Sequence, residues 1–184
     1  MPLGYNSMKL IGERIYIRIL TPADVSDAYV SWLNDDEITQ FLELRWRAHT
    51  FDDVKKFVAL MNESAQDHLF GIFLRENGRH IGNIKIGDIN NMHRFGDVGL
   101  LIGDKKMWGK GYGAEAIKLA TDYGFRELGL NSLKAGMYEG NTGSYKAFIK
   151  AGYKDAGRYR KHRFCNGRYV DELLVEKNRE DADE

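Results

Sequence analysis

The chain has 184 residues, of which 43% are apolar, 12% aromatic and 29% charged, the balance of a globular protein and too apolar for a disordered one. Lys plus Arg (27) cancel Asp plus Glu (27), which argues against general polyanion or nucleic-acid binding, and the single Cys165 excludes a disulfide framework and any multi-cysteine metal site. The length favours one domain, no apolar run is long enough to cross a membrane, and no charged-then-apolar leader opens the chain, so the expectation is a cytoplasmic enzyme or binding domain.

In chain order, residues 1–9 contain Pro2, Gly4 and Asn6 without periodicity and read as a flexible start, ahead of a domain over 10–176 and a polar tail over 177–184. Glu13–Ile19 alternates polar and apolar residues, the period of a half-buried strand. Thr21-Pro22-Ala23-Asp24 has the composition of a helix start: Thr21 can cap, Pro22 suits the first turn, and Asp24 favours the positive helix end. That helix should run to about Asn34. Thr50-Phe51-Asp52-Asp53 is a second start, leading into Val54, Phe57, Val58 and Met61 on one face. Between them Asp35–His49, acidic and then aromatic and basic, reads as a loop or short helix that touches something.

From His68 the period becomes that of strands. His68–Arg75 and Arg79–Ile86 flank Asn77-Gly78, a dipeptide suited to a tight hairpin because both residues tolerate positive φ. Asp97–Ile102 adds a third strand. Gly103–Gly113 is rich in glycine and lysine, and a helix over about Gly111–Arg126 follows, with Ala116, Leu119, Ala120 and Tyr123 inward. Ser132–Tyr138 is a strand and Thr142–Ala151 a helix; Lys154–Phe164 and Arg168–Val175 pair around Asn166-Gly167. The order β-α-α-β-β-β-α-β-α-β-β predicts a single α+β sheet domain.

Trp108-Gly109-Lys110-Gly111-Tyr112-Gly113-Ala114 lies between a strand and a helix. Glycines there let the backbone approach a ligand, and the free N–H groups of a helix start favour an anion. A P-loop fails because Gly111 follows Lys110. A dinucleotide fingerprint needs a preceding parallel βαβ unit and an acidic residue about 20 positions on; an antiparallel meander precedes this loop and Gly129–Ala135 offers no acid. A turn that only eases a strand into a helix is the plainer alternative, weighed against by three alternating glycines with a lysine.

Residues Asp97–Phe125 resemble the central motif of the GNAT N-acetyltransferase superfamily, Gln/Arg-x-x-Gly-x-Gly/Ala, with Gly111 and Gly113 matching and Trp108 where Gln or Arg is usual. Asn141-Thr-Gly-Ser144, followed by Gly152-Tyr153, is similar to that family's Asn-x-x-Ser/Ala helix ending in Gly-Phe. Gly167-Arg-Tyr-Val-Asp171 is close to its terminal hairpin. The subgroup resembled contains ribosomal-protein N-terminal, spermidine and nucleotide-amino-sugar acetyltransferases. The resemblance covers about Leu10–Val175 and implies a mostly antiparallel sheet with a central V-shaped splay, flanked by about four helices.

It also implies acetyl-CoA as donor, with no metal, and direct attack by an amine. The amides of Gly109, Lys110, Gly111, Tyr112, Gly113 and Ala114, beside Trp108, would hold the pyrophosphate. Leu100, Leu101 and Ile102 would pair with the pantetheine arm, and Asn141 and Ser144 would lie beside it; Asn141 alternatively caps a helix. An ammonium must lose a proton before it attacks, and Asp97 is the candidate base, its plainer role being a salt bridge with Arg94. His93 is a second candidate base. The family's usual tyrosine acid is replaced by Phe148, which leaves Ser144, Tyr138 or Tyr145 to assist the thiolate. Phe148 also admits a catalytically silent acetyl-CoA-binding domain.

For the acceptor, Asp35-Asp36-Glu37 and Glu43 could attract a cation. Arg158, Arg160, Lys161, His162 and Arg163, interleaved with Tyr159 and Phe164, suit a phosphorylated one. Glu37, Glu43, His93 and Arg160 are therefore the candidate acceptor contacts. Strict alternation puts Arg158, Arg160 and His162 on one face and Lys161 and Arg163 on the other, unless a bulge intervenes. A nucleotide-linked amino sugar ranks first, a protein N-terminus second and a polyamine third, with a homodimer plausible by family analogy. His162 and Cys165 are two ligands and make no zinc site.

Overall fold

A computed structural model describes residues 9–182. Of the flexible start expected over 1–9, residues 1–8 lie outside the described residues and Lys9 instead opens a strand; residues 183–184 of the expected tail also lie outside them. Strand β2 (Ile15–Ile19) buries Ile15 and Ile17, following the alternation of the sequence. It pairs antiparallel with β3 (His68–Leu74) and with β1 (Lys9–Ile11), an edge strand too short to show a period.

The helix expected from Thr21 breaks in two. Thr21 and Asp24 form a capping box over a 3-10 turn, Pro22–Asp24, and Val25 is then extended. Arg18 holds both oxygens of Asp24, and α1 (Asp27–Leu33) starts afresh on the Ser26 hydroxyl, which accepts from the Tyr29 N–H at 3.2 Å. The segment after it contains α2 (Asp36–Thr39) and a 3-10 turn, Glu43–Trp46. α3 (Phe51–Glu63) opens on the reciprocal Thr50–Asp53 capping box, as its sequence indicates.

β3, β4 (His80–Asn90) and β5 (Phe95–Ile102) form the meander. Only Gly78 takes a positive φ (71°) in its first turn, so that loop is longer than a two-residue hairpin. Then come α4 (Tyr112–Arg126), β6 (Ser132–Tyr138), α5 (Thr142–Lys150), β7 (Lys154–Cys165) and β8 (Arg168–Asn178). Between the last two strands Asn166 and Gly167 (φ 49° and 77°) make the tight turn. β8 runs on through Lys177 and Asn178, opposite Leu133 and Ser132, into the stretch expected as tail, and Arg179–Ala182 close it with a 3-10 turn.

The eight strands lie in the order β1-β2-β3-β4-β5-β6-β8-β7. One core, with Ile84, Ile86, Ile117, Ala120, Leu133 and Phe148, packs between the sheet and the α4–α5 side. The other, with Tyr29, Trp32, Val54, Val58, Leu69 and Phe73, packs under α1 and α3. Among the described residues β5 and β6 are the one parallel pair, joined only over Phe95–Asp97 and Ser132–Lys134. Beyond Asp97 they part, which is the V-shaped splay the resemblance implies.

Gly82 of β4 lies opposite Ile102, and a Cβ there would run into the Leu101 carbonyl oxygen. Gly82→Ala is therefore expected to destabilise the fold by about 1–3 kcal/mol. The measurement is the midpoint of urea denaturation, and an unchanged midpoint would contradict this account of β4–β5 packing.

Candidate active site

Past the parting, Leu100, Leu101 and Ile102 pair with β4 alone. Their other edge faces the gap and has no strand partner among the described residues, although backbone groups inside a sheet are ordinarily paired with a neighbouring strand. Gly99 adds space, since a Cβ on it would meet nothing within 4 Å. Both arms of the V end at a helix N-terminus: β5 leads through the glycine loop to α4, and β6 leads to α5.

The loop is fastened to β5 by Trp108, whose indole N–H donates to Ile102 O at 2.7 Å. Gly109 and Gly111 have φ of 71° and 85°, the left-handed region that favours glycine. Gly111 caps α4, leaving the first N–H groups of that helix without intrahelical partners. Gly113 lets the helix close on β5, since a Cβ on it would stand 3.0 Å from Leu100. Arg14, just ahead of β2, donates to Lys110 O at 2.8 Å and to Glu115 at 3.0 Å. The residues present fit a diphosphate ester: unused amides, a helix dipole, cations and no obstructing Cβ.

On the other arm, Asn141 caps α5, its Oδ1 accepting from the Ser144 N–H at 3.2 Å, and the Ser144 hydroxyl has no hydrogen bond among the described residues. Phe148 is 2% exposed and packs edge-on to Tyr153, whose hydroxyl meets Thr121 at 2.9 Å. The side chain at 148 belongs to the core. Tyr145 donates to the Asp155 carboxylate.

Asp97 stands at the vertex of the V as the last residue of β5 paired with β6. Its partner is Lys134, at 3.5 Å, and not the expected Arg94, because β6 brings Lys134 directly alongside. Burial pushes the Asp97 carboxyl above its ordinary pKa, against the opposing pull of Lys134.

The four candidate acceptor contacts do not converge. Glu37 is tied to Lys105 at 2.6 Å, which Asp35 also holds at 2.9 Å. His93 lies beyond the closed end of the V, stacked on Phe95. Arg160 is exposed on β7 and has no ion pair among the described residues. Glu43 alone reaches the open end: it accepts the Tyr138 hydroxyl at 2.6 Å, and Arg45 donates to that oxygen at 2.9 Å. Burial works to raise the Glu43 carboxyl, but Tyr138 and Arg163 outweigh it and hold it below its usual pKa. Burial and the bond to Glu43 raise Tyr138, so its proton is committed to a carboxylate.

Alternation along β7 fails for a local reason. The register slips between Tyr159 and Arg163, and Lys161 takes φ 48° while its N–H donates to Asp171 at 2.8 Å. The bulge re-aims the side chains. Arg158 pairs with Asp171 at 3.3 Å, and Arg163 joins Glu172 at 2.6 Å and Glu43 at 3.3 Å. Arg45 and Glu172, which the sequence did not single out, thus join Arg163 of the basic strand and Glu43 in one network. Glu172, 5% exposed, lies where a Cβ on Gly136 would collide with it. A glycine facing a buried acid across two strands has no signature in one sequence. A pocket of about 400 Å³, bordered by Tyr29, Leu44, Trp46 and Phe57, opens on the other side of Glu43.

Among the described residues no group of three or more His, Cys, Asp or Glu could hold a metal, and no helix is long and apolar enough to cross a membrane. Residues 14–154 match the family model described as an acetyltransferase (GNAT) domain. A probable N-acetyltransferase of Bacillus subtilis is 31% identical over 175 residues, 90% of this chain and 94% of that protein. A spermidine N-acetyltransferase from Vibrio cholerae, in complex with CoA and spermine, superposes with a TM-score of 0.84 at 20% identity, over 94% of this chain and 100% of that one. The ribosomal-protein-S5-alanine acetyltransferase from Vibrio fischeri gives 0.81 at 20% identity, over 94% and 97%. At those identities the two structures speak for the fold.

Two outcomes are expected. Gly111→Val, which puts a β-branched residue at φ 85°, should abolish measurable CoA binding by calorimetry while the protein stays folded by circular dichroism; retained affinity would remove the loop from the site. Asp97 has a folded pKa above its unfolded one, so its contribution to stability is full below the unfolded value (about 3.9) and is lost as pH rises through the folded value. Asp97→Asn should accordingly be at least as stable as the parent at pH 7 and gain no stability at pH 3, read from thermal midpoints at both pH values.

Proposed function

The chain belongs to the acetyltransferase (GNAT) family and is an acetyl-CoA-dependent N-acetyltransferase; on that footing we propose that its acceptor amine is the free N-terminus of a peptide or protein. The observation that carries this reading is that the charged side chains offered to an acceptor are largely paired with one another. A polyamine calls for carboxylates without internal cations, yet Asp35 and Glu37 have Lys105, and Glu43 has Arg163. A nucleotide-linked amino sugar, which the basic strand first suggested, calls for free arginines. Arg158 and Arg163 are bound to Asp171, Glu172 and Glu43, which leaves Arg160 on the bulge.

What stays exposed there is aromatic. Arg45 lies over the rings of both Trp46 and Tyr138 and donates to Phe164 O at 2.9 Å. Trp46 is 63% exposed, and Tyr169, edge-on to Phe164, is 64% exposed. Amphipathic rings beside the apolar pocket suit the backbone and side chains of a peptide. The ribosomal-protein relative in fold, named for an S5 alanine, is in keeping with this.

In this reading the loop amides hold the diphosphate and the free edge Leu100–Ile102 aligns the pantetheine arm. Asp97, with its raised pKa, takes the proton of the incoming ammonium. An α-amino group has a pKa near ~7.7–8.0, within reach of such a base. Ser144, with its uncommitted hydroxyl, is the donor to the departing thiolate, since Tyr138 is engaged by Glu43.

The test is CoA release with peptides bearing free N-termini, with spermidine and with a nucleotide-linked amino sugar. Peptides should be the best substrates, and Asp97→Asn should slow them roughly 10²–10⁴-fold, with partial recovery at higher pH. Preferred turnover of either small molecule would reassign the acceptor. CoA binding without turnover on any amine would make this a silent domain.

A further inference from the structure

The pocket on the far side of Glu43, about 400 Å³, is at the small end of the roughly 300–1,000 Å³ of ligand sites. Leu33, Leu44, Val54 and Phe57 line it, with Trp46 beside them. Most polar side chains at its border are engaged elsewhere. Glu43 is held by Tyr138 and Arg163, Asp53 by the Thr50 cap, and His49 Nε2 by Leu44 O at 2.8 Å; Arg47 is exposed. Tyr29 is different. It is 2% exposed, and its ring is fixed against Trp32 and His80, with centroids 6.0 and 5.6 Å away. Its hydroxyl has no hydrogen bond among the described residues, although a buried hydroxyl ordinarily has one. The polar side-chain atoms that are both sealed and unpartnered there belong to His80 and Asn83, so the Tyr29 hydroxyl opens on the pocket that its residue lines. Burial pushes its pKa up to about 12, which keeps the group neutral and able to donate or accept. A phenylalanine would pack against the same rings; the hydroxyl serves only what enters the pocket.

We infer that this pocket seats a tyrosine side chain from one of the first residues of the acceptor peptide, with the phenol against the Tyr29 hydroxyl. This rests on the peptide reading above and adds a sequence preference to it. The place of the pocket argues for such an occupant. Glu43 borders it and also accepts the Tyr138 hydroxyl at the open end of the splay, so a chain leaving the V passes its mouth. The chemistry of the lining selects the side chain. A charged group would give up its water for apolar walls, and a short polar one would leave those walls uncovered. An aliphatic side chain or phenylalanine would cover them and leave the Tyr29 hydroxyl unpaired. Tyrosine carries an apolar ring with a polar tip at its far end, which can donate or accept as the facing hydroxyl requires.

The experiment is steady-state CoA release with peptides in which tyrosine, phenylalanine or serine is moved through the first three positions of a glycine-serine chain. The wild-type chain, Tyr29→Phe and Leu44→Trp are compared. At one position the wild type should favour tyrosine over phenylalanine by about three- to tenfold in kcat/KM, expressed in KM, with serine poorest. Tyr29→Phe should bring the tyrosine-to-phenylalanine ratio to about one. Leu44→Trp, which fills the pocket, should remove the advantage of both rings over serine. Because Tyr29→Phe keeps the ring and discards an unpaired group, its thermal midpoint should not fall. A lowered midpoint would show an internal partner for the hydroxyl and overturn the inference. Turnover without a tyrosine preference at any of the three positions, or a preference that survives Tyr29→Phe, would overturn it while leaving the peptide acceptor intact. If no peptide is turned over, the peptide reading fails and this inference falls with it.

Discussion

The parting of β5 from β6 is the constraint on which the rest of the molecule depends. In a sheet otherwise antiparallel, these two neighbours run parallel and stay paired for three residues each. Beyond Asp97 the sheet is open along its middle, and the edge of Leu100–Ile102 that faces the opening has no strand partner among the described residues. Parallel strands end on the same side, so the glycine loop and the start of α5 are delivered to one edge of the opening. An open strand edge at the surface invites aggregation. Here it is shielded by α4 and α5 on one face and by the α1–α3 layer on the other, and what can reach it is a ligand entering the V.

The helices keep the V open by closing around it. Gly113 allows α4 to approach β5, and Glu115 in the first turn of α4 accepts backbone N–H groups from Arg14 and Ile15 at 2.7 and 3.2 Å. The loop is therefore anchored to β2 as well as to β5 through Trp108. Phe148, on the inner face of α5, fills the core against Tyr153 where a polar group would need a partner. Anchored at both ends, the loop keeps its amides aimed outward without a ligand to organise them.

Charge is handled differently at the two ends of the splay. At the open end, Glu172 is buried but held by Arg163 at 2.6 Å, with His162 at 3.5 Å. Glu43 is held by Arg163 and Tyr138. Buried ions persist when paired and hydrogen-bonded, and this network fixes the connection between α2 and α3 against the β7–β8 hairpin. At the vertex, Asp97 has only the more distant Lys134, and desolvation prevails. At the loop, Arg14 is paired with Glu115 at 3.0 Å, and Lys150 stands beside it near Gly111.

Much of this was written in the sequence. The alternation of Ile15 and Ile17, the Thr50–Asp53 box, the Asn166-Gly167 turn and the spacing of Gly109, Gly111 and Gly113 are local patterns, and local physics makes them legible. The α+β order and the family motifs followed from them. Other features depend on partners far along the chain. The bulge at Lys161 turns Arg163 toward Glu43, and Lys134 displaces Arg94 beside Asp97. The same holds for Glu172 seated over Gly136 and for Arg14 meeting Lys150 at Gly111. Backbone preference and hydrophobic period act over a few residues and decide the elements. Which charges meet is decided only when segments distant in the chain are laid side by side, because electrostatic pairing depends on distance in space and leaves no period in the chain.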